Sequence, residues 1–203
     1  IKGKKVYYPC HNLSTYSQQC FILDPEDYVK ADSLGQIISV IHSHPTTPAV
    51  ASEADKVSCE AGSLPWHIVN PKTEQWGYYE PTGYKPALKG RPWCWGVTDC
   101  WSLVRDWYLE EKDIVLMDWE RPVTPEEFLE KPMFEDCAEA TGFRLLKPEE
   151  KLENGDLLFM SIMGKGLNHV AIFLNGEVLH HLADRLSCQE PYSEWLLKCT
   201  GGR

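Results

Sequence analysis

A chain of 203 residues has room for two small domains that each bury a core, and 43% hydrophobic with 25% charged residues places it among globular proteins. A formal charge of -10, with no run of Lys and Arg, excludes nucleic acid as a main partner, because phosphate binding needs clustered cations. No apolar run approaches the roughly 20 residues that span a bilayer, so no membrane-spanning segment is expected. The chain opens at Ile1 without Met and shows no signal peptide, and its eight scattered cysteines lack a C-x-x-C pair, which fits reduced thiols in a cytosol.

In chain order, Lys4 to Tyr8 reads as a strand. Asp24 followed by Pro25 predicts a capped helix ended by Gly35. The stretch from Ile37 to Asp55 is the most specific text in the chain: a β-branched strand, His-Ser-His-Pro, a loop, and a helix start at Ser52. Alternation along a strand puts His42 and His44 on one face, and helical spacing does the same for Ser52 and Asp55. Two imidazoles and a carboxylate make the ligand set of a catalytic zinc site with one position open to water. Ser52 equally suits a helix N-cap, and the two readings are compatible. The pattern His-x-His-Pro, six residues, Ser-x-x-Asp resembles the JAB/MPN (JAMM) zinc metalloproteases. That resemblance implies His42, His44 and Asp55 as zinc ligands and Ser52 as the residue that orients water or steadies the oxyanion. It also calls for a glutamate base on an earlier strand. No Glu precedes Glu26, itself on the expected helix, so that base is expected upstream of Ile1 or is lacking.

A helix from Ser52 to about Ala61 and two strands, Trp66 to Val69 and Gln75 to Tyr79, complete the first unit. Residues 81–92 hold three prolines and two glycines. The expected organisation is therefore a JAB/MPN-like α/β domain over 1–84, a linker over 85–92 and a second domain over 93–203.

The second domain begins with Trp93 to Cys100. Apolar residues at 100, 103, 104, 107 and 108 predict a helix with Cys100 at its N-terminus, where the dipole is expected to lower the thiol pKa. Thr124 to Glu127 predicts another capped helix, running to about Ala140. Strands follow at Gly155 to Met160, Asn168 to Leu174 and Glu177 to Leu182, the last two joined by Asn175-Gly176 in a type I′ turn. A two-residue turn sets Ala171 opposite His180 and His169 opposite Leu182, so that His169 and His180 share a face while His181 points away.

A lone cysteine and a strand histidine more often belong to a core and a surface than to a reaction. Here Cys100, His169 and His180 supply a nucleophile, a base and a third polar group together. Trp-Gly before Asp99-Cys100, then Gly155-Asp156-Leu157-Leu158-Phe159, then Asn168-His169-Val170-Ala171, resemble the NlpC-type cell-wall peptidases in the same order. The resemblance implies a papain-like α+β fold, with Cys100 as nucleophile, His169 as base and His180 as third residue. It departs at Trp101, which stands where a serine is usual, and at Trp93, which stands where tyrosine is common.

The succession of these two units, with PCHNLS, DPEDYV, HSHP, ASEAD, LPW, GVTDC and EVLHH, is similar to a family of tail tip and tail assembly proteins of lambda-like tailed phages. It implies other tail tip proteins as partners, peptidoglycan stem peptides as substrate and zinc as cofactor. It further implies synthesis in the host cytoplasm and action from the virion tail tip at the bacterial envelope. A structural tail component with degenerate sites, or a zinc protease acting on assembly proteins, are the alternatives.

Overall fold

The computed structural model describes residues 3–14, 20–131, 133–147, 149–164 and 166–202. The chain divides into two compact units, Ile1–Tyr84 and Lys85–Arg203.

In the first unit, helix α1 (Pro25–Leu34) is capped by the Asp24 carboxylate, which accepts the Glu26 N–H at 2.8 Å, and Gly35 follows its end. Strand β1 (Val40–Ser43), helix α2 (Glu53–Gly62) and strand β2 (Trp66–Asn70) form a parallel β-α-β unit, and β2 continues through a tight turn into antiparallel β3 (Gln75–Tyr79). Gly77 is required where it stands: a Cβ there would lie 1.9 Å from the Ala49 carbonyl oxygen, so only glycine lets the loop after β1 rest on β3. The Asn70 amide ties down the same loop by donating to the Thr47 carbonyl at 2.8 Å.

Residues 4–8, expected as a strand, are irregular backbone with Val6 and Tyr7 largely exposed. β-branched and aromatic residues favour strands only where a neighbouring strand accepts them, and the three-stranded sheet ends at β1 and β3.

The second unit is a mixed α+β structure. Its sheet, ordered β7-β6-β5-β4-β8, contains β4 (Leu157–Met160), β5 (His169–Leu174), β6 (Glu177–His180), β7 (Cys188–Pro191) and β8 (Thr200–Gly202), with every neighbouring pair antiparallel. Helix α3 (Cys100–Lys112) packs on β5 and β6, burying Leu103, Val104 and Trp107 against Val170, Ile172 and Leu179. The opposite face holds Leu158, Met160, Ala171 and Val178 with Leu196 of helix α6 (Glu194–Cys199). The strands are thus apolar on both sides, which explains why their text lacks strict alternation.

The hairpin of β5 and β6 has the expected turn, with positive φ at both Asn175 and Gly176, and the expected pairing of Ala171 with His180. It differs at its open end. β6 stops at His180, so His169 lies opposite Met160 of β4 rather than opposite Leu182. The single long helix expected after Thr124 is three short pieces: α4 (Pro125–Leu129), α5 (Met133–Cys137) and a 3₁₀ turn at Glu139–Thr141. The backbone tightens after α4, where Glu130 and Lys131 donate to carbonyls three residues back, and the sequence has a proline at 132 that cannot donate.

Residues 85–92, expected as a linker, are counted with the second unit. Gly90 donates to the Ser187 carbonyl at 2.7 Å, and Arg91, 2% exposed, bonds the Asp106 carboxylate at 2.6 Å and the Ala87 carbonyl at 2.7 Å. A buried guanidinium requires such partners, and the contacts tie this segment to α3 and to the residue before β7.

Candidate functional site

The position of Cys100 is set by the residue before it. Asp99 is buried and caps α3, one carboxylate oxygen accepting the Ser102 N–H at 2.9 Å and the other the Gly96 N–H at 3.0 Å. Gly96 supplies the positive φ (72°) that this tight approach needs. The Arg121 guanidinium closes on the same carboxylate at 2.7 and 3.1 Å, and the paired charge holds its own pKa above the ordinary value despite burial. Trp101 lines the depression beside Cys100 while most of its ring is buried. It turns into the core and stacks on Trp119 at 4.2 Å, its indole N–H donating to the Met117 carbonyl.

Cys100 is partly buried and lines a small depression of about 20 Å³ together with Trp95, Trp101, Trp119, Arg121 and Phe128. Its sulfur lies within hydrogen-bonding reach of the backbone N–H groups of Val170 and Trp101. The helix-end expectation of an acidic thiol is nevertheless overturned. Burial, followed by the charge of Asp99, pushes the thiol up to about 12 against the pull of those N–H groups and of Arg121.

His169 and His180 meet as their shared face requires. His169 Nε2 lies 3.2 Å from His180 Nδ1, with the rings nearly perpendicular, and both residues are buried at 4% and 1% exposure. Burial first, then the neighbouring charges of His180 and His181, push His169 down to about 3. His180 is also lowered by burial, while the Glu190 carboxylate at 2.8 Å from its Nε2 pulls the other way.

Glu190 is the functional residue that sequence reasoning missed. It lies on β7, where pairing of His180 with Cys188 and Val178 with Glu190 puts it diagonally across from His180. The only trace in the sequence is an acidic residue in a four-residue polar strand, far below the signal of an apolar run. His181 is buried, with Nε2 3.0 Å from the Arg185 carbonyl.

In the first unit, His42, His44 and Asp55 converge. The two Nε2 atoms are 3.0 Å apart, and the Asp55 oxygens lie 3.2 Å from His42 and 3.1 Å from His44. His44 Nδ1 faces the Pro48 carbonyl at 3.0 Å and so carries the hydrogen, which leaves its Nε2 lone pair aimed into the cluster. These separations approach the roughly 3.3 Å edges of a tetrahedron with metal–nitrogen bonds of about 2.0 Å, so the donor set fits a zinc-sized cation. Phe21 stacks on the His42 ring at 4.8 Å and Trp66 meets it edge-on at 5.2 Å, walling one side. Burial raises the Asp55 pKa, but bonds from His42 and Ser52 outweigh it and hold the carboxyl below its ordinary value.

Ser52 forms a capping box with Asp55: its hydroxyl accepts the Asp55 N–H at 3.1 Å, and the Asp55 carboxylate accepts the Ser52 N–H at 2.7 Å. Glu26 lies on α1 with an exposed side chain paired to Lys30 and is not one of the clustered groups.

The NlpC/P60 family profile matches residues 90–201, which include Cys100, His169, His180 and Glu190. The tail tip assembly protein K of Escherichia phage N15 is 37% identical over 195 residues, covering 92% of this chain and 76% of that protein. The tail tip assembly protein K of Escherichia phage lambda is 33% identical over 178 residues, covering 85% of this chain and 83% of that protein. No solved structure gives a significant match.

Proposed function

The chain belongs to the NlpC/P60 family and to the tail tip assembly protein K family of phage proteins, and from that premise we propose that its second unit is a cysteine peptidase that cleaves peptidoglycan stem peptides during cell entry. The observation that carries this reading is the placing of Cys100 at the first position of α3, its sulfur against the N–H of Val170, the residue that follows the buried and His180-bonded His169.

With the thiol near 12 and the imidazole near 3, both groups are neutral at physiological pH. The thiol proton therefore moves to His169 as sulfur attacks the peptide carbonyl carbon, in general-base fashion, rather than from a resting ion pair. The tetrahedral oxyanion is met by the Cys100 N–H, one of the first-turn groups without an intrahelical acceptor. Collapse breaks the C–N bond, and the proton on His169 leaves with the amine. Water then attacks the thioester with His169 again as base, releasing the acid and regenerating the thiol. The aromatic depression beside Cys100 supplies apolar surface and a low dielectric on the substrate side.

The test is release of new amino termini from purified murein. Cys100→Ala is expected to abolish it, and undiminished release would remove the assignment.

The first unit supports a second reading of its own. We propose that His42, His44 and Asp55 would hold a zinc ion in a JAB/MPN-like arrangement, a reading that their converging donors support. A bound zinc would supply Lewis acidity and an acidified water. The chain's own part is to orient the ligands: the Pro48 carbonyl fixes the His44 tautomer, and the Ser52 N–H fixes the Asp55 carboxylate. A zinc-dependent protease acting on assembly proteins follows from this reading only if a glutamate base is supplied. In the tail, the chain works with other tail tip proteins, made in the host cytoplasm and acting at the envelope. No helix among the described residues is long and apolar enough to cross a membrane.

A further inference from the structure

Two imidazoles hydrogen-bonded to each other do not specify the direction of their bond. His169 Nε2 can donate to His180 Nδ1, or His180 Nδ1 can donate to His169 Nε2, at the same 3.2 Å. The two directions are not equivalent chemically. A neutral imidazole carries one N–H. In the first direction His169 has its hydrogen on Nε2 and a bare Nδ1, which can take a proton from the thiol. In the second, His169 carries its hydrogen on Nδ1 and cannot.

Glu190 breaks this degeneracy. An ionised carboxylate only accepts, so its contact with His180 Nε2 at 2.8 Å requires the hydrogen of His180 to sit on Nε2. His180 Nδ1 is then bare and must accept from His169 Nε2, and His169 Nδ1 is left bare in turn. We propose that Glu190 is a positioning residue that sets the tautomers of both histidines so that His169 keeps a bare, proton-accepting Nδ1.

The arrangement suits this task. His180 is buried at 1% exposure, so water has little access to replace the carboxylate, while the Glu190 side chain is 47% exposed at the sheet margin. The strand that carries it is held by its neighbour, with the Gln189 amide donating to the Glu177 carboxylate at 2.6 Å. During the reaction the thiol proton rests on His169 Nδ1 and leaves with the amine; none passes to Glu190. Its negative charge favours the imidazolium through two successive hydrogen bonds.

The inference rests on the thiol-peptidase reading, and its test separates the two. Tautomers are read by long-range ¹H–¹⁵N spectra of the histidine-labelled full chain, a measurement that needs no substrate. The unaltered chain is expected to show Nε2–H for both His169 and His180. Glu190→Gln keeps an amide oxygen that accepts, and is expected to preserve this state and most of the kcat. Glu190→Lys offers only donors and is expected to invert both tautomers. Glu190→Ala is expected to give a mixture, with kcat down on the order of tenfold to a hundredfold, the usual effect of an orienting partner, and KM unchanged.

Both histidines remaining Nε2–H in the Ala and Lys variants would overturn the proposal, as would a Gln variant as impaired as Ala. The exposed site tolerates all three side chains, and the Gln and Lys spectra decide the matter even where Ala fails to fold. Murein cleavage that survives Cys100→Ala would remove the peptidase reading and leave the tautomer result standing.

Discussion

Both units bring two histidines and a carboxylate together, yet the two groupings differ in shape and therefore in chemistry. In the first unit the donors converge: His42, His44 and Asp55 each lie within 3.0 to 3.2 Å of the other two. Three donors facing one point offer their lone pairs to a single cation, the zinc proposed above, or share protons in its place. In the second unit the groups run in series from His169 to His180 to Glu190, each bonded only to the next. A series of alternating donors and acceptors transmits the preference of its last member to its first, although Cys188 also lies within 4.8 Å of the His180 and Glu190 ligand atoms. Geometry, rather than residue type, separates a metal cradle from a proton acceptor.

The largest way to break the comparison is to remove the convergence. His42→Ala is expected to eliminate zinc bound to the purified chain, measured by elemental analysis after dialysis, whereas His169→Ala is expected to leave zinc unchanged and abolish murein cleavage. Zinc that persists in the His42 variant, or that disappears with His169, would place the metal elsewhere. Chelation is expected to lower the melting of the first unit alone, because a ligand that binds only the folded state stabilises it.

How far the sequence carried this contrast depends on spacing. His42, His44, Ser52 and Asp55 sit on one strand end and one helix start, so strand and helix periods alone brought them together. His169 and His180 were legible because Asn175-Gly176 fixes a two-residue turn and the register is then arithmetic. Glu190 was not, since it is reached through the irregular residues 181–187, whose course no local rule dictates. The short strands β7 and β8 were missed for the same reason: each owes its existence to sheet neighbours rather than to its own pattern. The thiol pKa failed differently. The helix end was read correctly, but the burial and the adjacent Asp99 that outweigh it are visible only in three dimensions.

A middle-sized effect concerns acid and base. The folded His169 has a pKa near 3, below its ordinary 6.5, so between those values the unfolded chain binds a proton that the folded chain refuses. Stability from this residue is complete above about 6.5 and is lost progressively as pH falls toward 3. Cys100 has the opposite sign of window: raised from 9 to about 12, the folded thiol keeps a proton that the unfolded one releases, and stability falls as pH rises through that range. Melting of the second unit, followed by hydrogen exchange in β5, is expected to drop between pH 7 and 5. His169→Asn is expected to flatten the acid slope and Cys100→Ser the alkaline one. An acid slope unchanged in the Asn variant would assign it to another group.

The smallest effect sharpens the role of Ser52. Its hydroxyl accepts the Asp55 N–H, while the Asp55 carboxylate is held by the Ser52 backbone N–H, which any residue provides. Ser52→Ala therefore removes the cap but not the lock on the metal-facing carboxylate. The expected cost is about 1 kcal/mol of stability in the first unit, typical of an N-cap hydroxyl, with zinc content retained. Ser52→Thr, which restores the hydroxyl, is expected to recover most of that loss. Loss of zinc on Ser52→Ala would mean that the hydroxyl acts on the ligands as well as on the helix, and the convergent site would then depend on its cap as the serial site depends on Glu190.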